Sequence, residues 1–191
     1  MSVYDLATRR RTIRRFQDIP VPWEVLERCV NTARLAPSAS NLQPLEYIVV
    51  DDPKVLPQVF SAVTGWARHI RPRGNPPPGK EPRAYIVVLK AKETVSAFSV
   101  HDIGMAAENI ILVALEEGVG SCTLASIDRE KLRALLKVPE KYEIPLVLAL
   151  GYPDESPVEE PFTDYKYWKD EKGILHVPKK KLESILHRNV F

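Results

Sequence analysis

"HDIGMAAENIILVALEEGVG", residues 101–120, carries the reading of the fold. Ile103, Ala106, Ala107, Ile110, Ile111, Val113, Ala114 and Leu115 recur at helical spacing and cover more than one face. That predicts a long central helix, buried almost all round and stopped by Gly118 and Gly120. Toward the C-terminus, CTLASI (122–127) reads as a strand and Asp128 as the N-cap of a helix over DREKLRALL. IPLVLALGY (144–152) then reads as a continuous apolar strand. Toward the N-terminus, AYIVVLKA (84–91) is a second buried strand, residues 53–63 a helix opened by Asp52-Pro53, and YIVVDD a β-rich run. In PWEVLERCVNTARLA, Pro22 suits the first turn of a helix that Pro37 ends, with Val25, Leu26, Cys29, Val30 and Ala33 at helical spacing. A final helix is expected from Pro178. Two long buried helices among four or five strands make an α/β or α+β sandwich. Nothing marks a domain boundary, so residues 1–191 are expected to form one domain.

Residues 64–83, TGWARHIRPRGNPPPGKEPR, break the pattern. Five prolines and three glycines in this stretch predict a long surface excursion of the kind that forms lids and binding loops. Across the chain, 17 prolines stand against 8 glycines, which stiffens the loops.

Composition narrows the function classes. Hydrophobic residues make up 45% and charged residues 27%, an ordinary globular balance, and the formal net charge is only +2. A dedicated nucleic-acid binder usually carries a larger basic excess. No signal peptide and no apolar run of transmembrane length is present, so a soluble, cytoplasmic protein without membrane attachment is expected. Cys29 and Cys122 form no CxxC and read as reduced, buried apolar residues. His69, His101, His176 and His187 are scattered without ligand spacing, so no metal site is expected. GxGxxG after a strand, GxxxxGK[ST], HExxH and GxSxG are all missing.

Two segments remain. RRRTIRRF, residues 9–16, holds five arginines in a chain of balanced charge. In an extended conformation Arg10, Thr12 and Arg14 point the same way, and two guanidinium groups beside a hydroxyl can clamp one phosphate. On spacing alone a solvated or salt-bridged face ranks above a phosphate site. APSASNLQP, residues 36–44, offers hydroxyls, amides and backbone N–H groups between a helix end and a strand. It is a suitable rim for a polar, ring-bearing ligand, or a loop satisfied by its own Asx and Ser turns.

Taken in order, RRRTIRRF, PWEVLERCVNTARLAPS, SNLQPLEYIVV, HDIGMAAENIILVALEEGVGSCTLASID, EIPLVLALGYPDE and KGILHVPKKKLESIL resemble the FMN-dependent nitroreductase family over nearly the whole chain. The resemblance implies an α+β fold, a three-layer α/β/α sandwich around a mostly antiparallel sheet, in an intertwined homodimer with two flavin sites shared between chains. It implies an NADH- or NADPH-dependent flavin oxidoreductase that reduces a nitroaromatic, quinone or similar acceptor by a ping-pong cycle through flavin N5. Related proteins dehalogenate, fragment flavin or reduce enones on the same scaffold. By position, Arg10 and Thr12 would hold the FMN phosphate and ribityl end with Arg11 beside them, and Arg14 would approach N1 and the C2 carbonyl. Pro37, Ser38, Ala39 and Asn41 would come from the partner. Leu124, Ala125 and Ser126 would pass the ring edge near N5, and Lys179, Lys180 and Lys181 in the 162–191 extension would complete the phosphate site. A ring-contacting asparagine is frequent in the central region of the family, where Asn75 is the one candidate. No protein acid or base is implied, because the cofactor carries the chemistry. The alternatives are a non-catalytic FMN-binding redox module and a basic nucleic-acid-binding domain.

Overall fold

The apolar runs form the centre of a four-stranded sheet in a computed structural model that describes residues 1–70, 73–94 and 97–191. Strands β1 (Leu45–Val50), β2 (Ala84–Ala91), β3 (Gly120–Leu124) and β4 (Tyr142–Gly151) lie in the order β1-β2-β4-β3, every neighbouring pair antiparallel. The central strands are continuously apolar because both faces are covered. Ala84, Ile86, Val88, Leu148 and Leu150 face helices α2 (Trp23–Arg34) and α4 (Ser99–Glu116). Tyr85, Val87, Leu89, Val147 and Ala149 face the other way, toward Trp66, Val59 of α3 (Leu56–Phe60) and Leu132 of α5 (Arg129–Leu136). These are three layers with two cores.

Local chemistry sets the element ends. The Asp128 carboxylate accepts the Lys131 N–H at 3.0 Å, as its N-cap reading requires. Gly118, at φ +75°, follows α4 and supplies the left-handed turn into β3. Helix α1 (Val3–Arg9) has no apolar stripe and escapes a periodicity reading. It is started by a capping box in which the Ser2 hydroxyl accepts from Asp5 N and the Asp5 carboxylate accepts from Ser2 N.

Four expectations change. α3 is shorter than the span 53–63, with turns on both sides. α4 is buried on one face only: Ala106, Ala107, Ile110 and Ala114 are inside, while Val100 and Met105 are exposed in the single chain. The excursion at 64–83, apart from Arg71 and Pro72, which lie outside the described residues, is anchored at its first part while Arg73, Asn75 and residues 77–79 stay exposed. Trp66 joins the second core and tilts against Phe60, and Ala67 and Ile70 pack on Leu175. The helix expected from Pro178 is replaced by a second sheet of β5 (Val158–Pro161), β7 (Leu175–Lys179) and β6 (Trp168–Lys169), followed by one short 3₁₀ turn at Leu182–Ser184. A helix there would have little to bury against: Leu182, Ile185 and Leu186 are all exposed, and an isolated short helix is marginal in water. Pro178 is tolerated in β7 because β6 pairs only with Leu175 and His176, leaving one side of the strand open at the proline.

Candidate functional site

The arginine run lies along the open edge of β3. Thr12 bridges Ser121 in parallel, Ile13 N donates to Ser121 O at 2.9 Å, and Phe16 N donates to Lys80 O at 3.1 Å. Ile13 and Phe16 are buried and act as the pegs of the run. Two glycines admit them: a Cβ on Gly120 would stand 2.7 Å from Ile13 Cγ1, and one on Gly151 would stand 2.8 Å from the Phe16 ring. The run covers an edge that would otherwise expose unpaired backbone.

Its side chains divide. Arg10 is still the C-cap of α1, so the run is not uniformly extended, and its guanidinium reaches Glu108 of α4 at 3.9 Å. Arg14 reaches a different layer. Its Nε donates to Trp66 O at 2.7 Å and its guanidinium lies over the Tyr167 ring, 5.6 Å from the centroid. Arg10 and Arg14 therefore share no partner, although simple alternation puts them on one side. Arg11 pairs with Glu159 and donates to Thr8 O at 2.8 Å. Arg9 is exposed, with its guanidinium near the Met1 sulfur. Arg15 is half-buried, and among the described residues its Nε and that of Arg11 are enclosed with no hydrogen-bond partner.

Glu155 organises the ground beside Arg14. Its carboxylate accepts Arg14 N at 2.5 Å and stands 3.9 Å from the ammonium of Lys169, which β6 delivers. Burial, reinforced by Arg15, Arg14 and Arg73 and opposed by Glu155, holds Lys169 below the ordinary lysine range. Cys122 lies nearby. Burial pushes its thiol up to about 11 and outweighs the help of Arg14; burial pushes Cys29 up to about 12. Neither is an activated nucleophile. His176 sits between Glu160 and Asp170 and stacks on Trp168, away from this ground. Among the described residues no group of three or more His, Cys, Asp or Glu could hold a metal ion, and no helix is long and apolar enough to cross a membrane.

Leu124 ends β3, and with Ala125 and Ser126 just after it lines a cavity of about 310 Å³ together with Gly65, Trp66, Ala67 and Arg68. Thr64 N donates to Ser126 O at 2.9 Å and ties the two walls together. Through Trp66 this ledge adjoins Arg14. A larger groove of about 440 Å³ is lined in part by Arg9, Arg10, Arg11, Ser121 and Glu155. Pro37, Ser38, Ala39 and Asn41 stand elsewhere, at the start of α4. Ala39 N donates to the buried Asp102 carboxylate at 3.0 Å, and Ser40, Asn41 and Gln43 hold left-handed φ of 51°, 54° and 47°. Strain of that kind in non-glycine residues marks a segment held for a purpose beyond connection. The Asp102 and Glu108 anchors are six residues apart, roughly 9 Å along α4. Lys179, Lys180 and Lys181 are exposed on the second sheet and beyond it, with Lys180 over the Phe162 ring. One chain therefore joins Arg14 to Leu124–Ser126, and leaves the serine-rich loop and the lysines apart.

Trp66, Arg68, Glu155, Tyr167 and Lys169 enter this ground unannounced by the sequence. No motif marks them; only the packing of 64–70 under the extension brings them in. Asn75 is exposed, outside the cavity that Gly65–Arg68 line.

The class of protein is an α/β sandwich with a cationic run clamped to its sheet edge, beside a ledge of backbone. Residues 7–152 match the Nitroreductase family, and the chain belongs to it. It is 28% identical over 168 residues to an iodotyrosine deiodinase of Thermotoga neapolitana, covering 80% of this chain and 89% of that protein. It is 29% identical over 175 residues to an NADH dehydrogenase of Thermus thermophilus, covering 78% and 85%. The structure of an FMN-dependent nitroreductase from Clostridium difficile is similar with a TM-score of 0.69 at 28% identity, over 97% of this chain and 98% of that one.

Proposed function

We propose that this chain is a cytoplasmic, homodimeric FMN-dependent oxidoreductase that takes hydride from NADH or NADPH and reduces a nitroaromatic, quinone or similar flat acceptor in a ping-pong cycle. The observation that carries the reading is the arginine run, half-buried and fixed to the sheet edge through Thr12 and Ile13, in a chain that belongs to the Nitroreductase family. When bound, FMN would supply hydride exchange at N5. The chain's residues bind and orient. Arg10 and Thr12, with Arg11 beside them, would hold the phosphate and ribityl end, and Lys179–Lys181, which stand apart from them within one chain, would complete it. Arg14 would serve the N1 and C2 carbonyl side, where a fixed cation favours developing negative charge. Leu124, Ala125 and Ser126 would line the ring edge. Pro37, Ser38, Ala39 and Asn41 cover the site of the second copy, which accounts for their separation from the arginines within one chain. The exposed Val100 and Met105 of α4 suit the same subunit contact.

The test is the visible spectrum of the purified protein before and after each nicotinamide under argon. Yellow protein that bleaches supports the enzyme. Yellow protein indifferent to both donors supports a non-catalytic flavin module, and colourless protein with salt-sensitive DNA or RNA binding supports the basic-domain alternative. A stable flavin-loaded monomer overturns the shared site.

A further inference from the structure

The charge around Arg14 is unbalanced, and the imbalance is built from the C-terminal extension. Lys169 arrives on β6, far along the chain from the arginine run, and its side chain is only 6% exposed. A buried ammonium needs close acceptors. Lys169 has two distant ones, the Arg73 carbonyl at 3.4 Å and Glu155 at 3.9 Å. Glu155, 9% exposed, is shared with the backbone N–H of Arg14. Arg14, Arg15 and Arg73 all press on Lys169, against the single carboxylate of Glu155. Arg15 Nε is buried and unpartnered. Tyr167, two residues before Lys169, lies under the Arg14 guanidinium, while Glu155, the partner of Lys169, holds the Arg14 backbone N–H. A surface pair contributes little and tolerates change; this one is enclosed, and each member controls the field at Arg14.

We propose that Glu155 and Lys169 are positioning residues for Arg14: the extension locks Arg14 in place through this pair, and the pair sets the net positive charge at the ring end of the flavin site. The inference rests on the flavin reading above. It assigns the extension a role at the ring through Lys169, separate from the phosphate role given to Lys179–Lys181.

The variants are Glu155→Gln, Lys169→Met and the two combined, prepared in the full-length protein. The flavin midpoint potential is measured by equilibration against a redox dye. Lys169→Met should shift it negative, because a cation that stabilises the reduced ring is gone, and Glu155→Gln should shift it positive. A merely structural pair would alter stability without shifts of opposite sign, so unchanged potentials in flavin-loaded variants overturn the proposal. Stripped of flavin, Glu155→Gln should melt well below wild type, since it leaves Lys169 buried with little to oppose its charge. The double variant should recover most of that loss. Additive melting shifts overturn the proposal. Should the wild-type protein take up no flavin, the functional reading fails on its own, and the melting cycle still decides whether the pair holds this segment.

Discussion

The chain carries two basic runs, and they could hardly be placed more differently. Residues 9–16 are threaded along the β3 edge, pegged by Ile13 and Phe16, with Arg10, Arg11 and Arg14 each committed to a carboxylate, carbonyl or ring. Residues 179–181 stand in solvent at the end of the second sheet, with Lys180 held only by the Phe162 ring. Runs of like charge thus have unequal meaning. Guanidinium groups in a half-buried frame keep their direction and have little water around them, so a bound anion gains much. Solvated ammonium groups add a screened attraction that salt removes.

The comparison breaks most sharply in the flavin content. Arg10→Ala combined with Arg14→Ala should give folded protein that has lost most of its flavin, measured by absorbance per chain. Lys179→Ala, Lys180→Ala and Lys181→Ala together should weaken FMN but leave riboflavin, which has no phosphate, unaffected. Full flavin occupancy in the arginine variant would cancel the site assignment.

Stability separates the two runs next. Phe16 is fully buried at the root of the arginine run, so Phe16→Ala should cost about 3–5 kcal/mol in chemical denaturation. The thiols sharpen the same contrast between enclosed and open ground. Cys122 at about 11 and Cys29 at about 12 stay protonated in the folded chain after the unfolded thiols, near about 8.5, have ionised. The folded pKa values are raised, so their contribution is complete below about pH 8.5 and falls as pH rises toward those values, by up to about 1.4 kcal/mol per pH unit per thiol. Alkaline melting should show the fall, and Cys29→Ala with Cys122→Ala should flatten it. A thiol reagent at pH 8 should label neither cysteine until the protein unfolds. The smallest effect belongs to the lysines: the triple alanine variant should stay within about 0.5 kcal/mol of wild type.

Much of this was legible. β2 matches AYIVVLKA residue for residue, the helix after Asp128 starts where its cap requires, and Gly118 ends α4. These features depend on local conformational preference and on apolar runs long enough to demand two covered faces. α1 was legible in principle through Ser2 and Asp5, but a capping box without an apolar stripe is a weak signal. The final helix failed because KKKLESIL has helical spacing but no surface to bury it, and β5 offered Leu175–Lys179 a strand partner instead. The excursion at 64–83 read as surface because prolines and glycines dominate it. Its few apolar residues, Trp66, Ala67 and Ile70, tuck in its first part because Phe60 and Leu175 come within reach, while Asn75 and residues 77–79 stay at the surface.

By itself the sequence determined most elements of the central sandwich, their order and the family, because hydrophobic period, caps and ordered motifs are local properties that survive any arrangement of neighbours. It also marked Arg10, Thr12 and Arg14 as candidates. Only the tertiary structure decided that Arg14 turns toward Trp66 while Arg10 turns to α4, and that Glu155 comes to stand between Arg14 and Lys169. The contacts of Arg10 and Arg14 join residues more than fifty positions apart, and their energy lies in burial and in the closeness of charges, neither of which exists until the chain has folded.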